Sequence, residues 1–211
     1  MKSLISIFWI LLGETFLLAA DYQVKTVKVL PIESYPARIS QSGVTIAADP
    51  YSTDEKSFSA FDVRDLNSRG YFPVHIIIKN DSQMLLTIRT REITLITASG
   101  QQLYTTPATV LVEDVIKSGL RKKFPLIKSH DKSISTKSGS PLSDFTGKEI
   151  TNKTIDPGTV VDGFLFFFTP TPKKNPLKEG TLIIPKVEDE GMHKALGPFS
   201  IPLGPSSSKS K

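Results

Sequence analysis

Gly70-Tyr71-Phe72-Pro73-Val74-His75-Ile76-Ile77-Ile78-Lys79-Asn80-Asp81-Ser82 is one of two stretches that decide the fold. Asp156-Pro157-Gly158-Thr159-Val160-Val161-Asp162-Gly163-Phe164-Leu165-Phe166-Phe167-Phe168 is the other. Each is a short run of β-branched and aromatic residues bounded by turn formers, the pattern of a core strand. A strand sends successive side chains to opposite faces, so Phe72, Val74, Ile76 and Ile78 share one face and His75, Ile77 and Lys79 the other. This places the His75 imidazole outward, at the surface or under partial cover. The second run is apolar at nearly every position after Thr159, which predicts cover on both faces and a central place in its sheet. Asp156-Pro157-Gly158 forms the turn before it, with proline fixing the first corner and glycine taking the positive φ of the second.

Moving outward, residues 22–29 alternate loosely and end at Pro31 and Pro36, which reads as an opening edge strand. Residues 43–48 form a second short strand. Ser52 and Glu55 have capping-box spacing, and Phe58 and Phe61 fall on one helical face, so a short helix is expected over residues 53–63. Asn80-Asp81-Ser82 is a turn cluster that predicts a hairpin partner from Leu86 onward. Apolar parity changes between Leu86, Ile88 and Ile93, Leu95, which a bulge at residues 90–92 would absorb. Ser99-Gly100 allows a tight return into residues 101–104. Residues 112–120 read as a helix, and residues 121–147, rich in Lys, Ser and Gly, as a mobile insertion. Residues 181–184 and 199–203 complete the strands, and residues 204–211 form a polar tail. The expected fold is mainly β, an immunoglobulin-like antiparallel sandwich of about 7–9 strands with one or two short helices.

The first twenty residues have the layout of a signal peptide: Lys2, an apolar run from Leu4 to Leu12, and Leu18-Ala19-Ala20 before Asp21. The competing reading is an uncleaved anchor, but the apolar stretch is only roughly seventeen residues long and contains Glu14. Cleavage after Ala20 removes one base and one acid, so the net charge stays at +5. That small excess favours solubility and weak attraction to anionic surfaces, not nucleic-acid binding. The chain has no cysteine, so neither a disulfide nor a lipid-bearing cysteine is available. Residues 21–203 are read as one domain stabilised by packing alone.

The chain resembles a group of exported bacterial proteins of unassigned function with an immunoglobulin-like sandwich. The residues that carry the resemblance are Ala47-Ala48-Asp49-Pro50-Tyr51, Glu55-Lys56, Phe61, Gly70, Pro73-Val74, Ile78-Lys79-Asn80-Asp81-Ser82, Pro157-Gly158 and Gly163-Phe164-Leu165-Phe166. The resemblance implies an exported sandwich and transfers no active site.

No catalytic, cofactor or metal residues are assigned. There is no Gly-x-Ser-x-Gly elbow and no cysteine nucleophile. Ser129-His130-Asp131-Lys132 and Lys137-Ser138-Gly139 contain fragments of penicillin-interacting motifs, but only four residues of loop separate them. His75, His130 and His193 share no ligand spacing. Glu188-Asp189-Glu190 reads as an exposed acidic turn, since a calcium ion needs about six oxygens in a shaped loop. The sequons at Asn80 and Asn152 are explained as turn and loop residues. Arg121, Lys122 and Lys123 are the one basic concentration, with possible contact to lipid headgroups or anionic polysaccharide. The function expected is a non-enzymatic binding or structural accessory module of the envelope, periplasmic or extracellular, with a protein or glycan partner and no cofactor. The alternatives are a periplasmic hydrolase whose site combines residues 105–150 with the loop at 170–180, and a domain tethered by an uncleaved N-terminus.

Overall fold

The alternating run from Tyr71 becomes the longest strand and separates two cores. The computed structural model describes residues 22–123, 139–192 and 194–204. Its strands in chain order are β1 (Arg38–Gln41), β2 (Val44–Pro50), β3 (Tyr71–Asn80), β4 (Leu86–Ile88), β5 (Thr94–Ile96) and β6 (Gln102–Tyr104). They continue with β7 (Lys153–Ile155), β8 (Val160–Phe168), β9 (Thr181–Ile184), β10 (Val187–Asp189), β11 (Lys194–Leu196) and β12 (Phe199–Pro202). The helices are α1 (Asp54–Ala60), α2 (Ala108–Lys123) and α3 (Pro141–Lys148).

The fold is mainly β and sandwich-like, with every strand pair antiparallel. One layer is the sheet β1-β2-β3-β8, and two further sheets, β11-β10-β4-β7 and β12-β9-β5-β6, face it. Phe72, Val74, Ile76 and Ile78 point into this gap and join Leu86, Leu95, Leu182 and Phe199 in one buried cluster. Strand parity therefore selects the residues of the main core, as period-two counting expects. Among the described residues the strands number twelve, more than the expected seven to nine, and several are only three residues long.

The other face of the β3–β8 layer is also covered. Phe61 stacks on Phe145 of α3 at 4.2 Å and meets Phe164 edge-on at 4.9 Å. Tyr51, Leu66, Leu111 and Phe166 complete this second cluster. A third patch packs Ile32 and Tyr35 against Ala47 and Ile77. The protein is thus a sandwich with a helical third layer on one sheet.

Several expectations change. Residues 22–29 form no strand; they are an extended segment laid on the helical layer, with Lys25 Nζ donating to Phe58 O at 2.7 Å. Thr53, not Ser52, caps α1, its hydroxyl accepting from the Lys56 N–H at 3.2 Å, with Asp54 and Glu55 in the first turn. The segment at Leu86 does not pair with β3, whose neighbours are β2 and β8. Asn80 is the physical reason: its amide nitrogen donates to Met84 O and Ile155 O, steering the chain across to the opposite layer. The parity change after Ile88 is absorbed by a 3-10 turn, Thr90–Glu92, which divides the run into strands of two sheets. The expected mobile insertion includes α3, which opens with Pro141 and is capped by Ser140, whose hydroxyl accepts from the Ser143 N–H at 3.2 Å. Residues 124–138 lie outside the described residues, as do the expected signal peptide at 1–20 and the expected tail at 205–211. Finally, β8 is buried on both faces from Gly163 to Phe167, yet it is the last strand of its sheet, not a central one.

Candidate functional site

Because β8 ends its sheet, its outer edge must be satisfied by something other than a full strand. Two short segments do this. Glu149 bridges Phe164 in parallel fashion, with the Ile150 N–H donating to Phe164 O at 3.0 Å. Farther along, Thr105 bridges Phe167 in antiparallel fashion, with the Thr106 N–H donating to Phe166 O at 2.7 Å. Gly163 permits the first approach, since a Cβ there would lie 2.8 Å from Ile150 Cβ and 3.0 Å from Lys148 O.

At these two docking points lies a cavity of about 640 Å³. Its apolar surface comes from Ile150, Leu165, Phe166 and Pro107. Thr105, Thr106 and Thr109 from one segment and Thr151 and Asn152 from the other also line it. The 3-10 turn supplies Thr90 and Arg91. Asn152 Oδ1 accepts from the Thr90 N–H at 3.0 Å, which ties that turn to the approach to β7.

Glu149 and Arg91 are the charged residues of the lining. Glu149 Oε1 accepts from the Ala108 N–H at 3.1 Å, at the start of α2, so a carboxylate already occupies the positive end of that helix. Burial raises the Glu149 pKa above the usual carboxylate range, opposed by the Ala108 N–H and by the charge of Arg91. The lining therefore offers donors, acceptors and one charge of each sign. Among the described residues the lining includes no serine, cysteine or histidine.

The other residues that stand out in the sequence lie elsewhere. His75 is not outward-facing to solvent: it is 1% exposed, stacked on Phe164 at 4.6 Å, with Nε2 2.7 Å from Asp162 Oδ2. The helical layer covers the face that alternation alone leaves open. Glu188-Asp189-Glu190 is not an exposed turn, since Glu188 and Asp189 belong to β10 and Asp189 is 2% exposed. Asp189 Oδ1 accepts from the Gly191 and Met192 N–H groups, while Glu188 pairs with Lys186 and Arg89. Among the described residues no group of three or more His, Cys, Asp or Glu is placed to hold a metal ion. Arg121, Lys122 and Lys123 form the end of α2; His130, the Ser129 and Lys137 motifs and His193 lie outside the described residues. Among the described residues, the loop at 170–180 and the 105–150 region line different cavities. The loop borders one of about 140 Å³ with Thr97, Gln101 and Thr169.

Sequence reasoning misses Glu149 and Arg91, which no motif marks, and reads Asn152 only as the loop residue of a sequon. The available signals were Thr105-Thr106-Pro107-Ala108-Thr109 and Gly163, a small residue inside an otherwise bulky strand.

No family model matches the chain, and no curated protein matches it. Among solved structures it is similar to the yjhA protein from Bacillus subtilis, with 10% identity, a TM-score of 0.37, and coverage of 71% of this chain and 78% of that one. It is also similar to the candidate lipoprotein ycdA from Bacillus subtilis, with 14% identity, a TM-score of 0.39, and coverage of 81% and 39%. A functionally unknown protein from Listeria monocytogenes gives 13% identity, a TM-score of 0.37, and coverage of 79% and 80%.

Proposed function

We propose that the chain is an exported, non-enzymatic binding module of the envelope and that the cavity beside β8 holds its ligand. The observation that carries this reading is the lining: five threonines, an asparagine and one charge of each sign around about 640 Å³, within the size range of small-ligand sites. The N-terminal layout supports export, and the resemblance to exported bacterial sandwiches agrees with it. Accessory contact of Arg121, Lys122 and Lys123 with anionic surfaces belongs to the same reading.

A second reading is a hydrolase using Glu149 as general acid, favoured by its raised pKa. Against it, glycoside hydrolysis in most families uses two carboxyl groups, and Glu149 is the single acid of the lining among the described residues. The test is cross-linking in the native envelope followed by mass spectrometry, run beside a hydrolase panel. Reproducible recovery of one protein or glycan partner without turnover supports the binding module. Turnover abolished by Glu149→Gln overturns it in favour of the enzyme.

A further inference from the structure

We infer that the ligand is a neutral oligosaccharide, with one sugar in the cavity and a neighbouring sugar stacked on the exposed rings of Tyr104 and Phe168. This rests on the cavity being the binding site and names the class of ligand it takes.

The register supplies the first observation. The antiparallel bridge between Thr105 and Phe167 sets Tyr104 opposite Phe168, and residues opposite one another share a face. Phe168 is also opposite Tyr71 in the β3–β8 pairing, with ring centroids 5.0 Å apart. Tyr71, Phe168 and Tyr104 thus form a row across three adjacent segments. The row is buried at Tyr71 and opens outward, with Phe168 at 41% and Tyr104 at 65% exposure. The chain that presents Tyr104 runs directly into Thr105 and Thr106 of the cavity wall.

The second observation is chemical. A pyranose has apolar C–H faces and a rim of hydroxyls that both donate and accept. Threonine hydroxyls and an asparagine amide also do both, so this lining matches such a rim without fixing one pattern of donors. An open aromatic ring provides the matching flat apolar surface.

Charge decides against ionic ligands. Arg91 and Glu149 leave the lining with no net charge, and Glu149 already satisfies the start of α2, so that helix end is not open to an anion.

The experiment is calorimetric titration of the full exported chain with neutral tetrasaccharides, namely cellotetraose, maltotetraose and the tetramer of β-1,4-linked N-acetylglucosamine. Tetragalacturonate and a neutral tetrapeptide serve as contrasts. At least one neutral tetrasaccharide is expected to bind saturably and more tightly than its monomer. Tyr104→Ala, at an exposed position, should weaken it about tenfold, and Thr109→Val should weaken it as well, with unfolding midpoints unchanged. Absence of saturable binding to every neutral saccharide overturns the inference, as does tighter binding of tetragalacturonate. So does an affinity that neither substitution alters. Tetrapeptide binding alone would leave the binding module standing and remove the glycan. Cleavage of a bound saccharide would support the ligand class and overturn the non-enzymatic reading instead.

Discussion

His75 Nε2 lies 2.7 Å from Asp162 Oδ2, joining a buried imidazole to a carboxylate whose side chain is 41% exposed. The two are diagonal neighbours across β3 and β8, since His75 is opposite Phe164 and Asp162 is opposite Ile77. Phe164 stacks beneath the imidazole, so Asp162 supplies the polar partner that the ring's apolar surroundings do not. The pair lets a polar residue occupy a strand position inside a three-layered body.

Removing the carboxylate should therefore strand the imidazole. Asp162→Ala is expected to cost about 1–3 kcal/mol in urea unfolding, the range for a buried polar group losing its partner. His75→Phe keeps a ring against Phe164 and removes the polar atoms, so it should cost less, and adding Asp162→Ala to it should cost little more. An Asp162→Ala variant as stable as the parent would show that the contact holds nothing together.

Gly163 sets the distance at which residues 148–150 meet β8. A methyl group there would crowd Ile150 Cβ at 2.8 Å and the Lys148 carbonyl at 3.0 Å. Gly163→Ala is expected to destabilise the protein by about 1–3 kcal/mol through overpacking. It should also move the Glu149 side of the cavity, which chemical shifts of the Ile150 and Ala108 amides would report. Unchanged shifts together with unchanged stability would mean that the segment slides aside freely.

Strand identity and facing were legible in the sequence wherever alternation was strong, as at Phe72, Val74, Ile76 and Ile78, because burial of one face is a local pattern. The fate of His75 was not legible. Its ring is stacked on Phe164, which is distant in sequence and is itself packed against Phe61. The expected hairpin after Asn80 failed for a similar reason: the turn chemistry was read correctly, but the Asn80 amide bonds to Ile155, seventy-five residues away. The cavity is a product of docking, since Thr105 and Glu149 become neighbours only by meeting the same strand edge. Polar residues without a motif carry no local mark of such a meeting.

Glu149 should make stability depend on pH. Its folded pKa is raised above the ordinary glutamate value of 4.5, chiefly by burial. Across the window from that value up to the raised one, the folded state holds a proton that the unfolded state has released, so stability falls as pH rises. Glu149→Gln cannot ionise, while its amide oxygen can still accept from the Ala108 N–H. The melting temperature of the variant relative to the parent should therefore be more favourable at pH 7 than at pH 4. A difference that does not change with pH would contradict the assignment.

Tyr22 anchors the extended N-terminal segment. Its hydroxyl donates to Asp144 Oδ2, and the Asp62 N–H donates to the same hydroxyl at 3.3 Å. Burial first, and then the hydrogen bond and charge of Asp144, push the phenol pKa far up, so the group remains a donor throughout the ordinary pH range. Asp144 is itself buried and paired with Lys148 at 2.7 Å, and Lys148 Nζ also donates to Ala60 O at 2.7 Å. Tyr22 is thus the point where the segment joins a buried network linking α1 to α3. Tyr22→Phe keeps the ring and deletes the hydroxyl, which should cost about 1.5–3 kcal/mol, the range for a hydrogen bond to a charged group. Hydrogen exchange should locate the damage: the Gln23 amide, bonded to Asp62 Oδ2 at 3.0 Å, should lose protection, while amides of β3 change only by the global difference in stability. Equal loss at both places would mean that the segment opens only when the whole molecule unfolds, and the anchoring role would fall.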